Sequence, residues 1–178
     1  MPIGLHHRIP KDMNIRCHLQ PGDIGYIIYL HGLSYGKEYG YDHTFEAYVA
    51  AGLGEFAQSF QPNKDGLWVA EMEGQMIGSI GIVRRSESAA QLRWFLVHPQ
   101  KRGLGIGRAL LHSALQFCKE CKYETIFLWT ISDLTIATHL YKSAGFTKTE
   151  EKTHKLWGKI LTEERYDLHL RADVLGGC

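Results

Sequence analysis

Along this chain the spacing of apolar positions changes from helical to strand-like and back. Residues 14–19 alternate apolar and polar side chains, as a half-buried strand does, and Pro21-Gly22-Asp23 then opens a helix carrying Ile24, Ile27, Ile28 and Leu33. Gly32, Gly36 and Gly40 weaken its far end. A second helix is predicted from Asp42, a suitable N-cap, through Phe45, Tyr48, Val49, Leu53 and Phe56. A loop over 61–66 ends this helical half. The period then drops to two: 67–73 and 76–84, joined at Gly74, predict a hairpin, and Ser86-Glu87-Ser88 turns the chain into a strand over 91–98.

Three glycines on alternate positions, Gly103, Gly105 and Gly107, lead from that strand into an amphipathic helix over 104–121, with Leu104, Ile106, Leu110, Leu111, Leu115 and Cys118 on its apolar side. The compact apolar run 125–130 predicts a strand covered on both faces. A helix over 134–143 stops at Ala144-Gly145, and 147–170 supplies one or two strands around a loop at 154–159. This order of elements predicts an α+β fold with a mixed, mostly antiparallel central sheet of six to seven strands flanked by about four helices. Residues 14–171 form the expected domain, with 1–13 an N-terminal extension or linker and 172–178 a C-terminal tail.

The 178 residues suit one globular domain. A formal net charge of +1 gives no broad field for nucleic acid or for a cationic partner, so charge acts locally. No stretch approaches the roughly 18 uninterrupted apolar residues of a membrane helix, and the N-terminus lacks the apolar core of a signal peptide. The expectation is a cytoplasmic protein bound neither to membrane nor to nucleic acid. Cys118 and Cys121 form a lone CxxC at the end of a helix, with no second ligand pair, and read as ordinary helix residues; no metal is expected.

The glycine turn carries the chemistry. Between Arg102 and Arg108 several backbone N–H groups can converge on one anion at a helix N-terminus, where the macrodipole also favours negative charge. Neither the GxGxxG frame of a dinucleotide fold nor the GxxxxGK frame of a P-loop fits these residues. What fits is strand, Val-x-Pro, then Arg-x-x-Gly-x-Gly (Arg102, Gly105, Gly107) and a helix. In this the chain resembles the GNAT superfamily of acyl-CoA N-acyltransferases. Leu140-Tyr141-Lys142-Ser143-Ala144-Gly145-Phe146 is similar to a second signature of that family, Leu-Tyr-x-x-x-Gly-Phe. The segment from Tyr35 to Asp42, with Phe45-Glu46 and Leu128-Trp129-Thr130, resembles the GNAT module often fused behind MarR-type regulators, which implies no DNA binding for these residues.

The resemblance implies acetyl-CoA as co-substrate and an acetyl group passed directly to an amine. Its pyrophosphate falls to Arg102, Gly103, Leu104, Gly105, Ile106, Gly107 and Arg108, and its pantetheine arm to Leu96, Val97, Thr130, Ser132 and Tyr141. The backbone N–H of Val97 would polarise the thioester, and Tyr141 would protonate the departing thiolate, its phenol being near an alkyl thiol in acidity. The family's Asn before the tyrosine is here Leu134, and Gln91 stands where many relatives carry a basic Glu. Glu38 is therefore taken as the candidate base, with Tyr35, Glu38, Tyr39, Asp42 and Glu71 as the acceptor pocket; Glu46 is a further candidate acid, and His154 and Trp157 edge the pocket. The acceptor is expected to be a small-molecule amine or an amino-acid-like compound. Two alternatives stand beside this one: a silent acyl-CoA-binding sensor, and a protein lysine or N-terminal acetyltransferase. Homodimerisation is compatible with the resemblance.

Overall fold

A computed structural model describes residues 10–170. Most of the expected extension 1–13, and the tail 172–178, lie outside the described residues. The elements run β1 (Met13–Arg16), α1 (Asp23–Tyr39), α2 (His43–Ser59), β2 (Gly66–Met72), β3 (Gln75–Arg84), β4 (Ala89–Val97), α3 (Ile106–Glu120), β5 (Thr125–Ile131), α4 (Thr135–Ser143), β6 (Thr147–Leu156) and β7 (Lys159–His169). The sheet has seven strands in the order β1-β2-β3-β4-β5-β7-β6, antiparallel except for β4 beside β5. The α+β class and the mixed, mostly antiparallel sheet are those the sequence predicts.

Local chemistry explains the boundaries. Asp42 caps α2 by accepting from the Thr44 N–H at 2.9 Å, and α1 ends on Gly40 in the left-handed region. Glu73 and Gly74, both at positive φ, make the two-residue turn of the β2–β3 hairpin. The second hairpin is tighter than the predicted loop 154–159. β6 and β7 run on to Leu156 and Lys159, leaving Trp157 and Gly158, again both at positive φ, as the turn. This turn is pinned to the α1–α2 junction: Asp42 donates its N–H to the Trp157 carbonyl at 3.1 Å, and Lys159 Nζ donates to the Tyr39 carbonyl at 2.8 Å.

Two apolar cores lie on the two sides of the sheet. One joins Leu110, Leu111 and Ala114 of α3 to Ile80, Ile82, Ile126, Tyr141 and Phe146, and the other joins Val49, Leu53 and Phe56 of α2 to Ile27, Leu67 and Trp94. β1 is clamped to the start of α1 by Arg16. Its guanidinium grips both oxygens of Asp23, at 2.6 and 2.7 Å, and also donates to Glu71 at 2.8 Å. Glu71 is thereby spent on the far side of β2.

Two irregularities in β4 make the site. Its parallel pairing with β5 covers Ala89 to Gln91 against Thr125 to Phe127 and then stops, so the strands splay. Against β3, Trp94 and Phe95 together face Ile80, a bulge with Trp94 at φ 48° and its carbonyl accepting from Ser79 Oγ at 2.8 Å. The Trp94 ring then lies where a Cβ on Gly81 would be, 2.6 Å away, so the bulge depends on that glycine.

Candidate active site

Beyond the bulge, His98 donates its N–H to the Ile77 carbonyl at 2.8 Å, which makes His98–Ile77 a hydrogen-bonded pair and Val97–Gly78 a non-bonded one. By the alternation of an antiparallel ladder, the N–H and C=O of Val97 point away from β3 into the splay. The carbonyl is used: Arg102 Nε donates to it at 3.2 Å. The N–H makes no backbone hydrogen bond with β3 or β5 there.

A cavity of about 330 Å³ occupies this side of the splay. Leu96, Val97, Arg102, Gly103, Gly105, Ile106, Gly107 and Arg108 line it, together with Lys101, Leu134 and Leu140. Leu104 does not line it and is largely exposed, and Ser132 lines neither this cavity nor its neighbour. Gly103 and Gly105 both have φ near 80°, and Gly105 caps α3 without any side-chain acceptor. The first hydrogen bond of the helix runs from Ala109 N–H to Gly105 at 3.0 Å, which leaves the N–H groups of Ile106, Gly107 and Arg108 without partners in the helix. Uncapped donors and the positive end of the dipole make this terminus a fit for a diphosphate.

A second cavity, about 120 Å³, lies towards α1 and α2 and shares Tyr35, Phe95, Leu134 and Ala137 with the first. Thr130, Tyr141, Tyr41 and Phe45 line it, and the ring of Trp157 from the β6–β7 turn packs 4.8 Å from that of Phe45. Tyr141 is 5% exposed, between the rings of Phe95 at 6.0 Å and Phe146 at 5.9 Å, and burial pushes its phenol well above the ordinary value.

Three of the expected acidic residues are engaged elsewhere. Both oxygens of Glu38 face the Arg102 fork, at 2.6 and 2.8 Å, so the carboxylate neutralises that guanidinium beside the glycine turn and is not a free base. Asp42 is the cap of α2, and Glu71 belongs to the Arg16 clamp; neither lines a cavity. Glu46 lies against α1, its Oε2 2.3 Å from where a Cβ on Gly32 would stand. Tyr35 and Tyr39 do line the first cavity, and Tyr35 the second as well. Thus the donor-side residues converge while the acceptor-side acids disperse.

The second cavity also holds residues that the pattern of apolar positions did not single out: His31, Arg93 and Glu163. For Arg93 a signal existed, a lone guanidinium in the apolar strand Leu-Arg-Trp-Phe-Leu-Val. His31 is 4% exposed, its Nδ1 2.8 Å from the Ile27 carbonyl, and burial lowers its imidazole from 6.5 to about 4. It is therefore neutral at pH 7. The unfolded chain binds this proton at higher pH than the fold does, so stability is lost as pH falls from 6.5 towards 4, by roughly 3 kcal/mol. Denaturant titrations of the wild type and His31→Leu should show that gap between pH 7 and pH 4; parallel curves would remove His31 as its source.

A strand pair that opens towards an uncapped helix N-terminus, with a second cavity meeting the first at Tyr35, Phe95, Leu134 and Ala137, has the shape to take an extended anionic ligand beside a smaller one. The comparisons agree. Residues 25–146 match the model of the acetyltransferase (GNAT) family, and the chain belongs to that family. Human N-acetyltransferase 8B is 33% identical over 107 residues, covering 57% of this chain and 45% of that protein. Mycothiol acetyltransferase of Cellulomonas flavigena is 31% identical over 94 residues, covering 47% of this chain and 27% of that one. The chain spans about half the length of the first curated relatives it matches. Among solved structures, an acetyltransferase of Salmonella typhimurium with its cofactor acetyl-CoA superimposes with a TM-score of 0.74 at 19% identity, over 94% of this chain and 99% of that one, a likeness of fold.

Proposed function

We propose that this chain is an acetyl-CoA-dependent N-acetyltransferase that passes the acetyl group directly to a small-molecule amine. The observation that carries the reading is the meeting of two cavities at the β4–β5 splay, one under the uncapped α3 terminus and one beside Tyr141. Acetyl-CoA supplies an activated acetyl thioester and a diphosphate. The N–H groups of Ile106, Gly107 and Arg108 hold the diphosphate, with the Arg108 and Lys101 side chains beside them. Arg102, locked by Glu38, fixes the turn to α1 and to the Val97 carbonyl.

The Val97 N–H is aimed into the splay, where it donates to neither neighbouring strand and can donate to the acetyl carbonyl oxygen as that oxygen gains charge. The amine nitrogen bonds to the carbonyl carbon, the carbon–sulfur bond breaks, Tyr141 gives its phenolic proton to the sulfur, and the proton that the nitrogen sheds as it becomes an amide restores the phenol. Thr130, 7% exposed on β5, lies on the acceptor side of the same opening.

Thiol release, followed with acetyl-CoA and a panel of primary amines, tests the reading. Acceptor-dependent release of one thiol per acetylated amine is expected. Tight acetyl-CoA binding with no release for any amine would replace it with a silent acyl-CoA sensor.

A further inference from the structure

The acceptor-side cavity carries more polar chemistry than an amine alone calls for. Arg93 makes no ion pair and no side-chain hydrogen bond among the described residues, although its guanidinium lies 5.5 Å from the Tyr48 ring and 4.7 Å from the Trp94 ring. It stands at the boundary of this cavity and a further one of about 280 Å³, and it lines both. The acids near it do not answer its charge. Asp65 is buried and spends its oxygens on the backbone N–H groups of Gln61 and Arg84, at 2.9 and 2.8 Å, and Glu55 is exposed at the rim. Instead a second guanidinium, that of Arg85, lies nearby, its pKa depressed first by burial and then by the charge of Arg93.

Two buried polar atoms at the same place also lack partners. Trp94 Nε1 and Tyr41 Oη make no hydrogen bond among the described residues, and both residues are 7% exposed and line the acceptor-side cavity. Buried donors left unpaired are rare in native proteins, because each one costs its desolvation. An unpaired guanidinium beside an unpaired indole N–H is a receptor for a carboxylate.

Glu163 stands across the cavity. One of its oxygens meets His154 Nε2 at 2.5 Å, and no side chain among the described residues takes the other. In the sheet Glu163 is paired with Ile131, four residues beyond Phe127, while Arg93 is two beyond Gln91, the partner of Phe127. Along the strands the two residues are thus offset by about two positions, roughly 7 Å, and across the sheet by the two spacings from β4 through β5 to β7, roughly 10 Å, with Glu163 nearer the splayed end where Val97 lies.

We propose that the acceptor is an α-amino acid with an apolar side chain, its carboxylate held by Arg93 and Trp94 and its ammonium by Glu163. This rests on the N-acetyltransferase reading and narrows it. The rings of Tyr41, Phe45 and Trp157 supply the apolar wall, and their faces suit the ammonium as well. Glu163, on the side of the thioester, takes the proton that the ammonium loses before nitrogen attacks. The carboxylate of the acceptor supplies the counter-ion that Arg93 lacks among the described residues.

The test compares each amino acid with its decarboxylated amine on the same enzyme: L-methionine against 3-(methylthio)propylamine, and L-phenylalanine against 2-phenylethylamine. The wild type should favour at least one amino acid by about tenfold or more in kcat/KM. Arg93→Met should lower kcat/KM for that amino acid by roughly 10–100-fold, with the amine changed less than about threefold, and Arg93→Lys should restore part of the preference. Because both members of a pair meet the same preparation, a smaller folded fraction cancels in the ratio. Glu163→Gln should lower both members together. Equal use of amine and amino acid by the wild type, an unchanged ratio in Arg93→Met, or acetyl-CoA binding without acetylation of either amino acid overturns the inference. The last leaves the donor half of the reading intact, whereas failure to bind acetyl-CoA overturns the reading beneath it.

Discussion

Tyr141→Phe is expected to lower kcat by roughly 10²–10⁴-fold while leaving acetyl-CoA affinity within about twofold. The ring is buried between Phe95 and Phe146, and phenylalanine keeps every one of those contacts, so the hydroxyl is what the substitution removes. Burial raises the phenol, which keeps it protonated at neutral pH and makes it an acid awaiting a base. A thiolate forming where the two cavities meet is such a base. Steady-state thiol release and calorimetric binding of acetyl-CoA separate the two quantities. A variant with unchanged kcat removes Tyr141 from the proton transfer. One that loses binding in proportion makes it a wall of the donor cavity instead.

The sequence was most informative where a local rule decides the outcome. Asp42 before an apolar helix, Gly40 after one, and the Gly74 turn each act through a few neighbouring residues, and each stands where the pattern places it. The glycine turn before α3 belongs with them, since its φ angles and free N–H groups follow from residue type. Side-chain partners across the fold obey no such rule. Glu38 meets Arg102 across 64 residues, and Glu71 meets Arg16 across 55, so the place of each carboxylate in the sequence carried no information about what would neutralise it. The bulge at Trp94 likewise depends on Gly81 and Ser79 of the neighbouring strand. Arg93 shares its face of β4 with Gln91, two residues before it, and the bulge that follows brings the Trp94 ring to the same guanidinium. This is why the glycine turn was legible in the sequence and the partners of the acidic residues were not.

Gly105→Val is expected to weaken acetyl-CoA binding by roughly 100-fold or more, a loss on the scale of one or two hydrogen bonds to a charged phosphate. Gly105 sits at φ 80°, where a β-branched residue is strained, and it hands the chain into α3. Relief of that strain rotates the peptide planes that follow and turns the N–H groups of Ile106 and Gly107 away from a common point. The same strain destabilises the fold by about 1–2 kcal/mol, so a lower melting temperature by itself would not identify a binding role. Gly74→Val separates the two effects. Gly74 has φ 73° with open space around it, in a hairpin turn whose residues line neither cavity of the splay. It should lose similar stability and keep its affinity for acetyl-CoA. Equal losses of affinity in both variants would mean that general loosening of the fold, not the aim of the α3 terminus, governs binding.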